Sequence, residues 1–175
     1  PTGLFLPLDQ VEEILKNNPD SVVIVDEAYV DFGGTSALPL IDKYENLLVV
    51  QTFSKSRSMA GMRIGYAFGS RKLISAMENV KYSYNSYTMN QAALCLGAAA
   101  VEDTAYFRDT LGRIIRTREE TKVWLKELGF SFPDSMANFI FASHEKADAE
   151  ELYQALKKER IYVRYFKKPV LDRYL

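Results

Sequence analysis

Two short apolar runs, each ending in polar residues, constrain the fold of this chain more than any other feature. Ser21 to Val25 reads Ser-Val-Val-Ile-Val and leads into Asp26-Glu27-Ala28-Tyr29. Leu47 to Gln51 reads Leu-Leu-Val-Val-Gln and leads into Thr52-Phe53-Ser54-Lys55. Runs of this length and branching are expected as strands buried on both faces of a parallel sheet. In an α/β sheet the carboxyl ends of the strands gather the functional groups, and both polar tetrads fall at such ends.

The surrounding segments fit the same class. Asp9 followed three residues later by Glu12 predicts a capping box opening a helix. Val11, Ile14 and Leu15 form its apolar face, and Asn17-Asn18-Pro19-Asp20 stops it. Arg63 to Phe68 reads as a third strand, and Leu73 to Val80 and Asn90 to Glu102 as helices. Strands separated by helices and loops are the α/β pattern. Residues 103–128 read as one long helix, with Phe107, Leu111, Ile114, Ile115, Leu125 and Leu128 on an inner stripe and Trp124 packed along it. Gly129 ends that helix. Beyond it come an expected strand at Asn138 to Ala142, a helix capped by Asp148 and Glu151, and a strand at Ile161 to Tyr165. This β-α-β tail reads as a second, smaller lobe.

Composition excludes several function classes. A chain of 175 residues holds one domain, or one domain and part of another. Hydrophobic residues at 47% and charged residues at 26% are those of a soluble globular protein. A net charge of −1 gives no electrostatic ground for nucleic-acid or membrane-surface binding. The single cysteine, Cys95, rules out an intrachain disulfide and makes a reducing compartment, the cytoplasm, the expected location. One cysteine and one histidine exclude a Cys/His zinc site, and no metal is expected. His144, within Ser-His-Glu-Lys, reads as a solvated loop residue rather than a catalytic one. No apolar stretch reaches the roughly 20 residues a bilayer requires. The opening Pro1-Thr2-Gly3-Leu4-Phe5-Leu6-Pro7 lacks a basic region and an initiator Met, and reads as cut from a longer chain.

Lys55 is the centre of the expected chemistry. A neutral lysine amine attacks an aldehyde to give a Schiff base, and burial or the nearby charges of Arg57 and Arg63 favour the neutral form. Thr52 and Ser54 place hydroxyls at alternating positions, and with Arg63 they make a compact site for a phosphate dianion. Turn-forming hydroxyls beside a solvated Arg are the plainer alternative. Gly61 and Gly65, which let backbone approach closely, count against it. Asp26 at a buried strand end needs a partner, and a pyridinium nitrogen suits it. Tyr29 is placed to donate its phenol to a ring oxygen. Asp-Glu-Ala-Tyr also fits the metal-binding strand end of a nucleotide hydrolase, but no Gly-x-x-x-x-Gly-Lys-Ser/Thr accompanies it. Together these are the groups needed to hold pyridoxal 5'-phosphate.

The same residues resemble the fold type I, aspartate-aminotransferase-like family of pyridoxal-phosphate enzymes, and within it the histidinol-phosphate aminotransferase family most closely. Pro1-Thr2-Gly3 is similar to the end of its Asn-Pro-x-Gly-type turn. Val-Asp-Glu-Ala-Tyr-Val-Asp-Phe (25–32) resembles its pyridine-binding strand. Thr-Phe-Ser-Lys-Ser (52–56) with Ala-Gly-Met-Arg-Ile-Gly-Tyr (60–66) resembles its Schiff-base lysine and phosphate-binding arginine. Tyr84-Asn85 with Asn90-Gln91-Ala92-Ala93, Ser135-Met136-Ala137-Asn138-Phe139 and Ile161-Tyr162-Val163-Arg164 resemble later family segments. Ser86-Tyr87 departs from a more typical Val-Asn. The likeness covers essentially the whole chain, in order.

The resemblance implies a pyridoxal-phosphate-dependent transaminase. Lys55 would carry the cofactor and move the catalytic proton. Asp26 would hold the ring nitrogen, Tyr29 the ring oxygen, and Thr52, Ser54 and Arg63 the phosphate. Arg164 would grip a substrate carboxylate, its plainer reading being a surface Arg at a strand end. The implied fold is α/β: part of a large domain with a mainly parallel sheet over residues 1–102, a connecting helix over 103–128, and part of a small α+β lobe over 129–175. The implied substrates are histidinol phosphate and 2-oxoglutarate, giving imidazole-acetol phosphate and glutamate in histidine biosynthesis. A related aromatic aminotransferase and a threonine-phosphate decarboxylase-like enzyme are the alternatives. Family members carry a long segment before the Pro-Thr-Gly turn and a second carboxylate arginine after a Leu such as Leu175. The resemblance therefore also implies the middle and C-terminal part of a homodimeric enzyme, and a non-catalytic fragment is the reading from another class.

Overall fold

Residues 2–175 are described by a computed structural model, and the chain divides into two units. One is Leu6–Gly112; the other joins the residues up to Phe5 to Arg113–Leu175.

In the first unit, helix α1 (Leu8–Asn17) starts directly after Pro7, whose carbonyl accepts from the Gln10 and Val11 amides at 3.1 Å. The expected capping box does not form. The helix begins one residue before Asp9, which leaves Asp9 inside the first turn, where its charge still faces the positive helix end. Glu12 instead accepts from the Tyr44 hydroxyl at 2.7 Å. At the far end, the Asn17 and Asn18 side chains donate to the Glu13 and Ile14 carbonyls, satisfying acceptors that the helix itself cannot.

Strands β1 (Val23–Asp26), β2 (Leu47–Thr52) and β3 (Gly65–Gly69) form a sheet in that order. β1 and β2 are parallel, with Asp26 opposite Val50. β2 and β3 are antiparallel, with Thr52 opposite Gly65. The sheet is thus mixed rather than mainly parallel. The segment joining β2 to β3 holds turns and the 3-10 turn Ala60–Met62, without the helical crossover that a parallel return uses.

Val11 and Leu15 of α1 pack with Ala37, Leu40, Leu47 and Val49 in one buried cluster, against which Val23 and Val25 also lie. β1 is covered on that face only. Its burial alternates, and Ile24 on the opposite face is 62% exposed, so the expected two-sided burial fails at this edge strand. Helices α2 (Arg71–Tyr84) and α3 (Gln91–Glu102) are capped by the Ser70 hydroxyl and the Asn90 side chain. A second cluster joins Phe53, Ile64 and Ala93. A side chain at Gly97 of α3 would press within 3.0 Å of Ile64 there.

Helix α4 (Thr104–Glu127) follows, and Gly129 closes it with φ +86°. Trp124 and Leu128, four residues apart on one face, are both exposed rather than packed. In the second unit β4 (Phe130–Ser131) pairs antiparallel with β5 (Ser143–His144), and Asp148 caps α5 (Ala149–Lys158) by accepting from the Glu151 amide at 3.0 Å. The strand expected at 138–142 is absent. The Ser135 hydroxyl accepts from the Ala137 amide and donates to the Phe139 carbonyl, which bends the chain out of extended pairing. Only at Ala142 does pairing begin, in mutual backbone bonds with Leu175. No strand forms over 161–165 either, where Ile161 and Tyr162 stay exposed and the segment joins no ladder.

Candidate functional site

Because β1 and β2 run parallel, their carboxyl ends open on one edge of the sheet, and the antiparallel β3 returns to the same edge. Asp26, Thr52 and the residues before Gly65 are therefore neighbours in the fold although distant in sequence. The loop after β2 closes on itself. The Met59 amide donates to the Phe53 carbonyl at 3.0 Å and the Ser58 amide to the Lys55 carbonyl at 3.1 Å. Phe53 is buried, and its amide donates to the Ile64 carbonyl at 3.1 Å, so the start of the loop is pinned to the core and to β3.

Within this loop the Thr52 hydroxyl lies 2.9 Å from the Ser54 hydroxyl and 3.1 Å from the Ile64 carbonyl, and accepts from the Ser54 amide at 3.1 Å. The two hydroxyls form a paired polar surface. Lys55 is half-buried, and its Nζ stands 5.5 Å from the centre of the Tyr29 ring. Buried Ser56 donates its hydroxyl to Asp31 Oδ2.

The acidic pair at the end of β1 splits across the sheet. Asp26 is exposed, and its Oδ1 accepts from the Ala28 amide at 3.0 Å. The carboxylate meets solvent, so Asp26 is not the buried acid in need of a partner that its place at a strand end predicts. Glu27 is the buried acid: its carboxylate accepts from the Ser36 hydroxyl and the Gln51 amide, both at 2.7 Å, and from the Ala37 amide. Strand alternation sends adjacent side chains to opposite faces, so of two consecutive acids only one could be the exposed ligand. That signal was available in the sequence. The Asp31–Ser56 bond had none.

The arginines divide in role. Arg63 is exposed, in the left-handed region at φ +57°, and donates to the Ala60 carbonyl at 3.0 Å. Ser58, also in this region at φ +55°, lies three residues after Lys55 on the same loop. Two non-glycine residues in this region mark stored strain, which concentrates at functional loops. Gly61 and Gly65 do not permit close backbone approach as expected. A Cβ at Gly61 would meet nothing within 4 Å, and at Gly65 only the Gln51 carbonyl at 3.6 Å. Arg57 stacks 4.2 Å from the Phe107 ring and donates to the Ala100 carbonyl in the last turn of α3, capping that helix rather than serving the lysine. Arg164 belongs to the second unit, exposed, with its guanidinium 5.8 Å from the Phe166 ring.

Tyr66 on β3 sets its ring edge-on to Phe53. Burial pushes its phenol above the ordinary 10.0, and the nearby Asp31 and Glu27 charges add to this against Arg57. Among the described residues no group of His, Cys, Asp or Glu side chains converges as a metal site, and no helix is long and apolar enough to cross a membrane.

Lys55 thus follows a pair of hydroxyls at a sheet edge that it shares with an exposed carboxylate and a tyrosine. The sequence matches the family described as aminotransferase class I and II over residues 1–175, and the chain belongs to that family. It is 55% identical over 176 residues to the histidinol-phosphate aminotransferase of Brachyspira hyodysenteriae, a match covering 100% of this chain and 50% of that protein. The solved histidinol-phosphate aminotransferase of Clostridium acetobutylicum superposes with a TM-score of 0.88 at 27% identity, covering 99% of this chain and 54% of that one. That of Sinorhizobium meliloti, solved in complex with pyridoxal 5'-phosphate, shares the fold with a TM-score of 0.85 at 24% identity, covering 99% and 48%. The chain spans about half the length of the curated relatives it matches.

Proposed function

We propose that this chain is the cofactor-lysine half of a pyridoxal-phosphate-dependent aminotransferase. The approach of Lys55 Nζ to the Tyr29 ring, at 5.5 Å on the edge where both strands end, carries the reading. The side chains present suit the cofactor's chemistry. Paired Thr52 and Ser54 hydroxyls and the Arg63 guanidinium supply donors for a phosphate, exposed Asp26 an acceptor for a pyridinium N–H, and Tyr29 a phenol for the ring oxygen. Bound there, the cofactor supplies an electron-accepting ring that stabilises charge left on a substrate carbon. Lys55 Nζ is the nucleophile toward the aldehyde and, when free, the base for the proton of the substrate α-carbon. Arg164 is assigned to the substrate carboxylate. By residue, 1–102 form part of the cofactor-binding large domain, 103–128 the connecting helix and 129–175 part of the small domain.

An absorbance scan of the complete enzyme with pyridoxal 5'-phosphate tests the assignment. A visible or near-ultraviolet band is expected that is absent in Lys55→Ala, and borohydride reduction followed by peptide mapping should mark Lys55. A label on another lysine overturns the site.

For the substrates, histidinol phosphate with 2-oxoglutarate is the pair favoured by 55% identity to a histidinol-phosphate aminotransferase. The products are then imidazole-acetol phosphate and glutamate, within histidine biosynthesis. Transamination of histidinol phosphate should far exceed that of phenylalanine, and equal rates would remove this substrate assignment. The complete enzyme is a cytoplasmic homodimer in this reading, with sedimentation as the check on the dimer.

A second reading, from another class, is that the isolated 175 residues are a non-catalytic fragment. Ile24 on β1, Val80 on α2 and Leu94 and Leu96 on α3 expose apolar surface of the kind a larger assembly covers. The isolated chain should bind a hydrophobic dye strongly and show no transaminase activity. Turnover by the fragment alone defeats this part of the proposal.

A further inference from the structure

Asp31 and Ser56 stand one step beyond the two groups whose approach defines the site. Asp31 lies in the 3-10 turn Val30–Phe32 that directly follows Tyr29, and Ser56 directly follows Lys55. The turn is anchored by Phe32, fully buried, and by the Gly34 amide donating to the Val30 carbonyl at 2.9 Å. The lysine loop is anchored separately, through Phe53 and its own internal backbone bonds. These two loops leave the sheet on different strands, and the Ser56 hydroxyl donating to Asp31 Oδ2 is a side-chain link between them. The donor is buried, where a hydrogen bond to a carboxylate is stronger and more directional than in water.

We propose that Asp31 and Ser56 are positioning residues, whose hydrogen bond holds the Lys55 amine in its place over Tyr29. The inference rests on the reading of Lys55 as the cofactor lysine. Neither residue touches the reacting atoms. Asp31 is exposed and recovers water when the bond is lost, so the fold tolerates the change while the register of the two loops loosens. A loosened nucleophile reacts more slowly without unfolding the protein.

The experiment is the rate at which the complete apoenzyme develops its Lys55 absorbance band on mixing with pyridoxal 5'-phosphate, read beside the thermal midpoint of each apoenzyme. Ser56→Ala and Asp31→Ala should each slow band growth by roughly tenfold with little change in midpoint. The double variant should be no slower than either single one, because both remove the same bond. Ser56→Thr keeps the hydroxyl and should restore the rate. Because Asp31 is exposed, its variant keeps the question open to test if Ser56→Ala proves unstable. Unchanged rates in the variants, or slowing that merely follows a fall in midpoint, overturn the positioning role. A wild-type protein that forms no band at Lys55 defeats instead the cofactor-lysine reading on which this role depends.

Discussion

Lys55 Nζ lies over the Tyr29 ring at 5.5 Å, and the parallel register of β1 and β2 is what brings them together. With Asp26 opposite Val50, the residues that follow each strand emerge side by side on one edge. Tyr29→Phe keeps the ring face and deletes the phenol. Lys55 should still be labelled in this variant, while cofactor affinity falls by about 1 kcal/mol, the worth of one hydrogen bond. Equilibrium dialysis measures it, and wild-type affinity in Tyr29→Phe would remove the phenol from the contacts.

Glu27 carries the opposite kind of role from its neighbour Asp26. Its buried carboxylate ties Ser36, Ala37 and Gln51 together behind the sheet edge. Glu27→Ala leaves three donors without their acceptor and should cost about 2–4 kcal/mol of stability. Denaturant unfolding checks this. A loss under about 0.5 kcal/mol would mean that water replaces the carboxylate without penalty.

What the sequence made legible was local. The β-branched run before Asp26 and the aliphatic run before Thr52 announced β1 and β2. Asn90 and Asp148, expected at helix starts, do cap α3 and α5, whereas the Ser70 cap of α2 lies outside the span read as helical. Features set by distant partners were not legible. Whether Ile24 is covered depends on which layers lie against β1, not on its neighbours in sequence. Residues 161–165 have strand composition, yet a strand exists only when another pairs with it. In the site, the tetrads placed Asp26, Thr52, Ser54 and Lys55 on one edge through the register. Around Arg63 the unusual backbone belongs to the arginine itself, and the flanking glycines have room to spare. The Ser56–Asp31 link joins loops from two strands, and no spacing rule points to it.

Tyr66 gives a reading of the Asp31 charge that needs no cofactor. Burial first, then Asp31, raises its ionisation above the ordinary 10.0. A phenol whose folded value is raised contributes stability that is intact below pH 10 and is lost as pH rises from there through the folded value. The tyrosinate difference spectrum between the wild type and Tyr66→Phe isolates this group. In Asp31→Ala its midpoint should move down yet stay above 10, because burial remains. An unmoved midpoint would mean that solvent screens Asp31 from the ring.

In the second unit, Lys122 sets an acid dependence. Its side chain is only 9% exposed, and its Nζ contacts Asp134 at 2.7 Å, Glu119 at 2.9 Å and the Ser135 carbonyl at 3.0 Å. The hydrogen bond from Lys122 lowers Asp134 from the ordinary 3.8 and Glu119 from the ordinary 4.5. Carboxylates depressed by folding contribute stability that is present above those ordinary values and disappears as pH falls through the lower folded ones. Asp134 and Glu119 are 81% and 51% exposed, so solvent and salt screen the pairs and the effect is modest. The thermal midpoint should therefore fall as pH drops below about 4, less steeply in high salt. Lys122→Met removes the cation that favours the ionised carboxylates and should flatten that acid slope, while lowering stability at neutral pH by leaving the Ser135 carbonyl without its donor. An unchanged slope in Lys122→Met would assign the acid sensitivity to other carboxylates.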